Sequence, residues 1–213
     1  MTELVNPQVV RWLWAAEAAV IRYGHVTEAQ VLAQIAQESG GDPTATSAAG
    51  AQGLMQIMPA TGRGLGLEDP FDPLQNVMAG VHYMAQAMEQ FGTWNLALAA
   101  YNAGPGAVEI AGNQVPDIAQ TRSYVSDIEA MLPDYSGYIR DASPLPTLRE
   151  GGVGDSVRLL QRMLGMVVQD QDGIYGPQTL GAVLSAKHES GLPVNGVVAD
   201  GLWSYLLWKG VRP

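Results

Sequence analysis

The chain has 213 residues, 47% of them hydrophobic and 15% charged, which is enough apolar character to bury a core and too regular a balance for a disordered chain. Its formal net charge of −10 excludes a partner held mainly through phosphates, so no nucleic acid is expected as a ligand. There is no cysteine, which excludes disulfides, iron–sulfur clusters and thiol nucleophiles while leaving the compartment open.

The first apolar run, RWLWAAEAAVIR at 11–22, is interrupted by Glu17 and bounded by arginines. It is too short to span a bilayer and too polar for a signal-peptide core, so neither an integral membrane segment nor an export signal is read there. An amphipathic helix is predicted instead from Pro7 to about Tyr23, with Asn6 as its cap and Pro7 in its first position. A second helix is predicted from Thr27 to Glu38, capped by Thr27 and stopped by Gly40-Gly41. Glu38 then sits in a last helical turn, where the helix dipole disfavours negative charge and an apolar setting raises the pKa further.

The stretch from Glu38 to Gly62, ESGGDPTATSAAGAQGLMQIMPATG, carries one further charge, Asp42, and is rich in Ser, Thr, Gln, Met and Gly. Helices follow in DPLQNVMAGVHYMAQAMEQFG, in TWNLALAAYNAGPGAV with a break at Gly104-Pro105, and in TRSYVSDIEAMLPDY. The segment DASPLPTL has two prolines and no periodicity. The expected organisation is a mainly α domain over 1–140, a linker over 141–147 and a smaller domain over 148–213. In that smaller domain GDSVRLLQRML offers Asp155 or Ser156 as a helix cap, and DGIYGPQTLGAVL is echoed by NGVVADGLWSYLL. Three short helices around one core is the simplest architecture for it.

The histidines His25, His82 and His188 lack metal-ligand spacing, and HExxH, GxSxG and P-loop motifs are absent, so neither a metal nor a cofactor is expected. The remaining reactive group is a carboxylate, and Glu38 has the most unusual surroundings. A solvated helix-end glutamate is the plain alternative. A carboxylic acid in an apolar, hydrogen-bond-lined cleft suits glycoside cleavage, where a leaving oxygen must be protonated, and neutral polar side chains suit sugar hydroxyls and N-acetyl groups.

Four ordered blocks carry a family resemblance: ES at 38–39, A-x-S-x-x-G-A-x-G-L-M-Q-I-M-P-x-T at 45–61, N-x-x-x-G-x-x-Y at 76–83 and A-Y-N-A-G at 100–104, extended by TRSYV at 121–125. Over roughly 24–135 the chain resembles the soluble lytic transglycosylases, which implies a lysozyme-like, goose-type helical fold. The resemblance implies cleavage of the β-1,4 bond between N-acetylmuramic acid and N-acetylglucosamine in peptidoglycan glycan strands. Glu38 matches the single catalytic acid, which protonates the glycosidic oxygen and then accepts a proton from the muramoyl C6 hydroxyl as a 1,6-anhydro ring closes. An intramolecular nucleophile removes the need for the second carboxylate of most glycosidases.

By the same resemblance Ser47 lies near the substrate N-acetyl group, Gln56 and Met58 line sugar subsites, and the Tyr101 hydroxyl approaches the glutamate or the substrate. Asn102 contacts substrate or braces its loop, and Tyr124 contacts substrate or packs. Gln120 departs from the family, which often carries Glu before the Thr-Arg pair. The C-terminal part resembles a three-helix peptidoglycan-binding module, with Lys187-His188 departing from its usual Phe-Gln and with Trp203 and Trp208 expected in the core. Two other readings stand beside this one: a goose-type lysozyme with Asp42 positioning water, and a non-catalytic wall-binding protein. A monomer is expected, acting on the bacterial wall as a phage endolysin or virion component.

Overall fold

The computed structural model describes residues 5–141 and 146–210, and its chain packs as two units, Met1–Ala142 and Ser143–Pro213. Among the described residues there is no strand; the only extended pairings are isolated bridges such as Thr46 with Gln52 and Gln52 with Ile57.

In the first unit, α1 (Pro7–Val10) begins with Pro7 in its first turn and the Asn6 side chain accepting from the Gln8 N–H at 2.9 Å. The predicted helix to Tyr23 is divided: α2 (Leu13–Tyr23) starts after a turn at Arg11-Trp12. Tertiary structure overrides periodicity there, because Trp12 is buried and its indole N–H donates to the Gly41 carbonyl at 2.9 Å. Helix α3 (Glu28–Ser39) has the reciprocal Thr27/Gln30 capping box and ends at Gly40 in the left-handed conformation.

Five consecutive residues of α3, Val31 to Ile35, are buried, so this helix is covered on every side over that stretch. It packs on α8 (Ala119–Asp141), with α2 and α1 also against it. Outside this pair, α5 (Pro73–Phe91) packs on α2 and on α6 (Trp94–Ala103), and α7 (Pro105–Ile110) follows the Gly104 break. The alanines of α2 and α6 let these backbones approach closely, while Leu32, Ile35, Leu54, Met84, Leu98 and Ile128 fill the centre. A short helix, α4 (Pro59–Gly64), closes the polar loop and has no counterpart in the sequence reading.

The second unit comprises α9 (Asp155–Met163), a short 3-10 turn (Val168–Asp170), α10 (Pro177–Ser190) and α11 (Asp200–Gly210) around Leu160, Tyr175, Val183, Leu202 and Trp203. The expected cap is corrected: neither Asp155 nor Ser156 caps α9. The N-cap is Gly154, whose φ of 129° no side chain readily adopts, and Asp155 falls in the first turn, pairing with Arg158. The internal repeat has a physical basis. Asp172 and Asn195 each accept the N–H two residues on, and the segments after them bridge to Val153 and Leu148. Trp203 lies in the core and donates to the Pro146 carbonyl, whereas the Trp208 side chain lies outside the described residues.

Candidate active site

The α3 terminus is built to hold Glu38 against a loop. The Ser39 hydroxyl donates to the Leu54 carbonyl at 2.8 Å and accepts from the Gly41 N–H at 3.2 Å, fastening helix end to loop. Gly41, with φ of 90°, lies so close to the Gln8 carbonyl that a Cβ would stand 2.4 Å from its oxygen. The Gly-Gly pair therefore both stops the helix and admits the N-terminal segment.

The loop owes its shape to Asn76 on α5, fully buried, whose amide accepts from the Met55 N–H at 2.8 Å and donates to the Gln52 and Pro70 carbonyls at 2.9 Å. Backbone conformation and space both require glycine at Gly53: its φ is 76°, and a Cβ would fall 2.2 Å from the Pro70 oxygen. Gly80, one helical turn beyond Asn76, leaves room for Met55, whose sulfur would stand 2.3 Å from an added Cβ.

Glu38 is half-buried, and its Oε1 accepts from the Tyr124 hydroxyl at 2.5 Å. Burial raises the carboxyl pKa from the ordinary 4.5 to about 7, and the Tyr124 hydrogen bond is what opposes the rise. Tyr124 itself is buried on α8 and accepts from Gln34 Nε2 at 3.2 Å. Tyr101 on α6 donates to the Met55 carbonyl at 2.7 Å, and its ring lies 5.3 Å from that of Tyr83. Burial and the Glu38 charge hold the phenols of Tyr101 and Tyr124 far above the usual tyrosine range. The arrangement can store a proton at neutral pH and release it to a buried acceptor.

The other expected positions fall in different roles. Ser47 is half-buried and accepts from the Ala51 N–H at 3.0 Å, closing a turn and leaving its hydroxyl proton to donate. Gln56, at φ of 48°, donates to the Ala45 and Gly53 carbonyls, so its amide N–H groups staple the loop. Met58 is 44% exposed, unlike Met55, which is in the core. Asn102 accepts from Thr121 Oγ1 at 2.9 Å, a brace between α6 and α8. Asp42 is exposed and accepts from the Thr44 N–H and hydroxyl in an Asx turn, which holds its pKa below the usual value. Gln120 is exposed on the first turn of α8.

Sequence reasoning left Gln34, Ser39, Asn76 and Tyr83 without roles. Gln34 was findable, being one turn before Glu38 on the same helix face, and so was Asn76, a polar residue in an apolar register of α5. Among the described residues no group of three or more His, Asp or Glu could hold a metal, and no helix is long and apolar enough to cross a membrane.

Comparison with known proteins addresses this same unit. A Transglycosylase from Enterobacteria phage PRD1 is 36% identical over 116 residues, 54% of this chain and 40% of that protein. The Soluble lytic murein transglycosylase of Escherichia coli K12 is 32% identical over 150 residues, 60% of this chain and 23% of its own. The chain thus spans less than half the length of these relatives. Among solved structures, the 70-kDa soluble lytic transglycosylase of Escherichia coli superposes with a TM-score of 0.52 at 29% identity, covering 59% of this chain and 24% of that one. An inactive glutamate-to-glutamine mutant of lytic transglycosylase Slt from Pseudomonas aeruginosa gives 0.51 at 28% identity, with 59% and 24% covered. Residues 17–122 match the Transglycosylase SLT domain, and the unit that holds them has the mainly helical fold of the soluble lytic transglycosylases.

Proposed function

We propose that the protein is a peptidoglycan lytic transglycosylase in which Glu38 is the single acid and base. The observation that carries this reading is the half-buried Glu38 carboxyl, raised to about 7 by burial and held by Tyr124, with no second carboxylate acting on it among the described residues. Tyr124 occupies Oε1, so the transferable proton resides on the other oxygen. Glu38 gives that proton to the glycosidic oxygen as the bond to muramoyl C1 breaks. The resulting carboxylate then takes the proton of the C6 hydroxyl as that oxygen bonds to C1.

Around this centre Ser47 donates its hydroxyl proton to an N-acetyl oxygen, Met58 offers an exposed apolar face to a sugar ring, and Gln56 keeps the loop in the shape both need. Tyr101 and Asn102 act through position: one fixes the Met55 carbonyl, the other fixes α8, from which Tyr124 projects. The inactive glutamate-to-glutamine relative supports the assignment of one essential glutamate. Asp42, exposed and engaged by Thr44, is poorly suited to positioning water for a lysozyme-type hydrolysis.

The 148–213 unit serves as a peptidoglycan-binding module in this reading, and its fold supports that role. Lys187, where the module family departs, turns its ammonium inward to Asn195 at 2.5 Å and so closes a loop instead of facing a ligand. The phage relative favours an endolysin or virion component.

The test is digestion of purified peptidoglycan followed by mass spectrometry of the released muropeptides. Products ending in anhydromuramic acid are expected; hydrated reducing ends would replace this reading with a goose-type lysozyme. Co-sedimentation of the intact Glu38→Gln protein with insoluble peptidoglycan tests the binding module, and failure to sediment removes that role.

A further inference from the structure

Gln34 is an expensive residue for the place it occupies. It is 1% exposed, in the most deeply covered stretch of α3, and its Oε1 has no hydrogen-bond partner among the described residues. An orphaned buried acceptor is destabilising, and an apolar side chain of the same size would avoid that cost. Among the described residues its one side-chain hydrogen bond is the 3.2 Å bond from Nε2 to the Tyr124 oxygen.

That contact decides where the Tyr124 proton points. A phenol has one proton, and an N–H directed at its oxygen leaves it nothing to donate to on that side. The proton is left for Glu38, 2.5 Å away. Were the amide oxygen to face Tyr124 instead, the phenol would donate to Gln34 and could only accept from Glu38, tying up the proton the acid must release. Gln34 and Glu38 are four residues apart on one helix face, so both reach the same hydroxyl on α8.

Resting on the transglycosylase reading, we infer that Gln34 is a positioning residue: it fixes the polarity of the Tyr124 hydroxyl so that Glu38 Oε1 is always hydrogen-bonded as an acceptor and the proton to be transferred is confined to Oε2. The groups facing this chain are Tyr124 from α8 and Tyr101 from α6, with Tyr83 of α5 behind Tyr101; among the described residues no cation acts on Glu38. Polarising Tyr124 strengthens its donation to the carboxylate, because hydrogen bonds in a chain reinforce one another. Gln34 therefore holds the Glu38 pKa below the value that burial alone would impose.

The experiment replaces the amide with an unbranched apolar side chain of similar size, Gln34→Met, in the full-length protein. Three quantities are read: the pH profile of anhydromuropeptide release, the Glu38 titration by carbon-13 NMR of the side-chain carboxyl, and the melting temperature. The expected result is a Glu38 midpoint and an alkaline limb both raised by about half a pH unit. kcat falls while KM holds, since Gln34 is not exposed to substrate, and the melting temperature is unchanged or higher. An unmoved midpoint with a lowered melting temperature would make Gln34 a packing residue and overturn the inference.

The route through Tyr124 is tested by adding Gln34→Met to Tyr124→Phe: no further shift is expected, and an undiminished shift overturns it. If Gln34→Met does not fold, the unmodified protein still decides, because the Gln34 side-chain amide protons must move with the Glu38 titration and static signals overturn the inference. If the wild-type protein releases no anhydro-ended products, the activity reading fails, and the Glu38 titration alone then decides the role of Gln34.

Discussion

Each of the two units holds an irregular, glycine-bearing loop with one buried carboxamide, and the difference lies in what the loop is held against. In the first, Asn76 bonds the Met55 N–H and the Gln52 and Pro70 carbonyls. In the second, Gln161 donates to Asp172, the Ile174 carbonyl and Thr179 while accepting from the Gly173 N–H. The Asn76 loop is pressed onto a helix end that presents a desolvated carboxyl; the Gln161 loop surrounds Asp172, whose pKa is lowered chiefly by the Gln161 amide. A buried amide at the heart of a loop is thus an architectural device. The chemistry comes from the group that the loop deprives of water.

The sharpest test of that distinction is Glu38→Gln, which keeps the shape of the site and removes its proton. Anhydromuropeptide release should fall roughly a thousandfold, the scale of general acid–base catalysis, with the fold retained. Loss of less than tenfold, by mass spectrometry of released products, would transfer the acid role elsewhere.

Breaking the device itself should have the next largest effect. Asn76→Ala leaves one N–H and two carbonyls without their partner and opens a cavity, for a cost of about 4 kcal/mol in chemical denaturation. Because the same loop carries Ser47, Gln56 and Met58, activity should fall with stability. Full activity at a temperature where the variant is folded would show that the loop shape is not needed.

Gln161→Ala applies the same cut to the second unit, at about 3 kcal/mol, comparable to the whole margin of a bundle this small. Here the expected outcome splits: the second unit loses protection in amide hydrogen exchange, while Glu38 keeps its titration midpoint. A shift in that midpoint would mean that the two loops are energetically linked.

Much of this was legible from residues. The Thr27 cap, the Gly40-Gly41 stop, the Gly104 break and the raised pKa of Glu38 follow from local chemistry, and the structure displays each of them. The break at Trp12 was not legible, because it depends on a carbonyl 29 residues away. Nor was the Gly154 cap, where backbone conformation displaced two good capping side chains. At the site, the blocks named Glu38, Tyr101 and Tyr124 but not the groups each is bonded to. Tyr124, expected to contact substrate or to pack, donates directly to Glu38, while the Tyr101 hydroxyl is spent on Met55. Such pairings span 86 and 46 residues of sequence and only a folded chain can make them.

The smallest effect follows from the cost of keeping Glu38 dry. Its folded pKa of about 7 lies above the unfolded 4.5, so the folded state holds the proton more tightly. The stability this provides is complete below the unfolded value and is lost as pH rises through the folded one. The full rise corresponds to about 3 kcal/mol, and partial exposure of the carboxyl reduces the expected effect to about 2. Glu38→Gln removes this dependence. The variant should gain on the wild-type protein between pH 5 and pH 8 in parallel denaturant melts, with the difference opening across the Glu38 midpoint. Equal pH dependence in the two proteins would mean that the carboxyl is solvated, and the contrast with the second unit's exposed Asp172 would vanish.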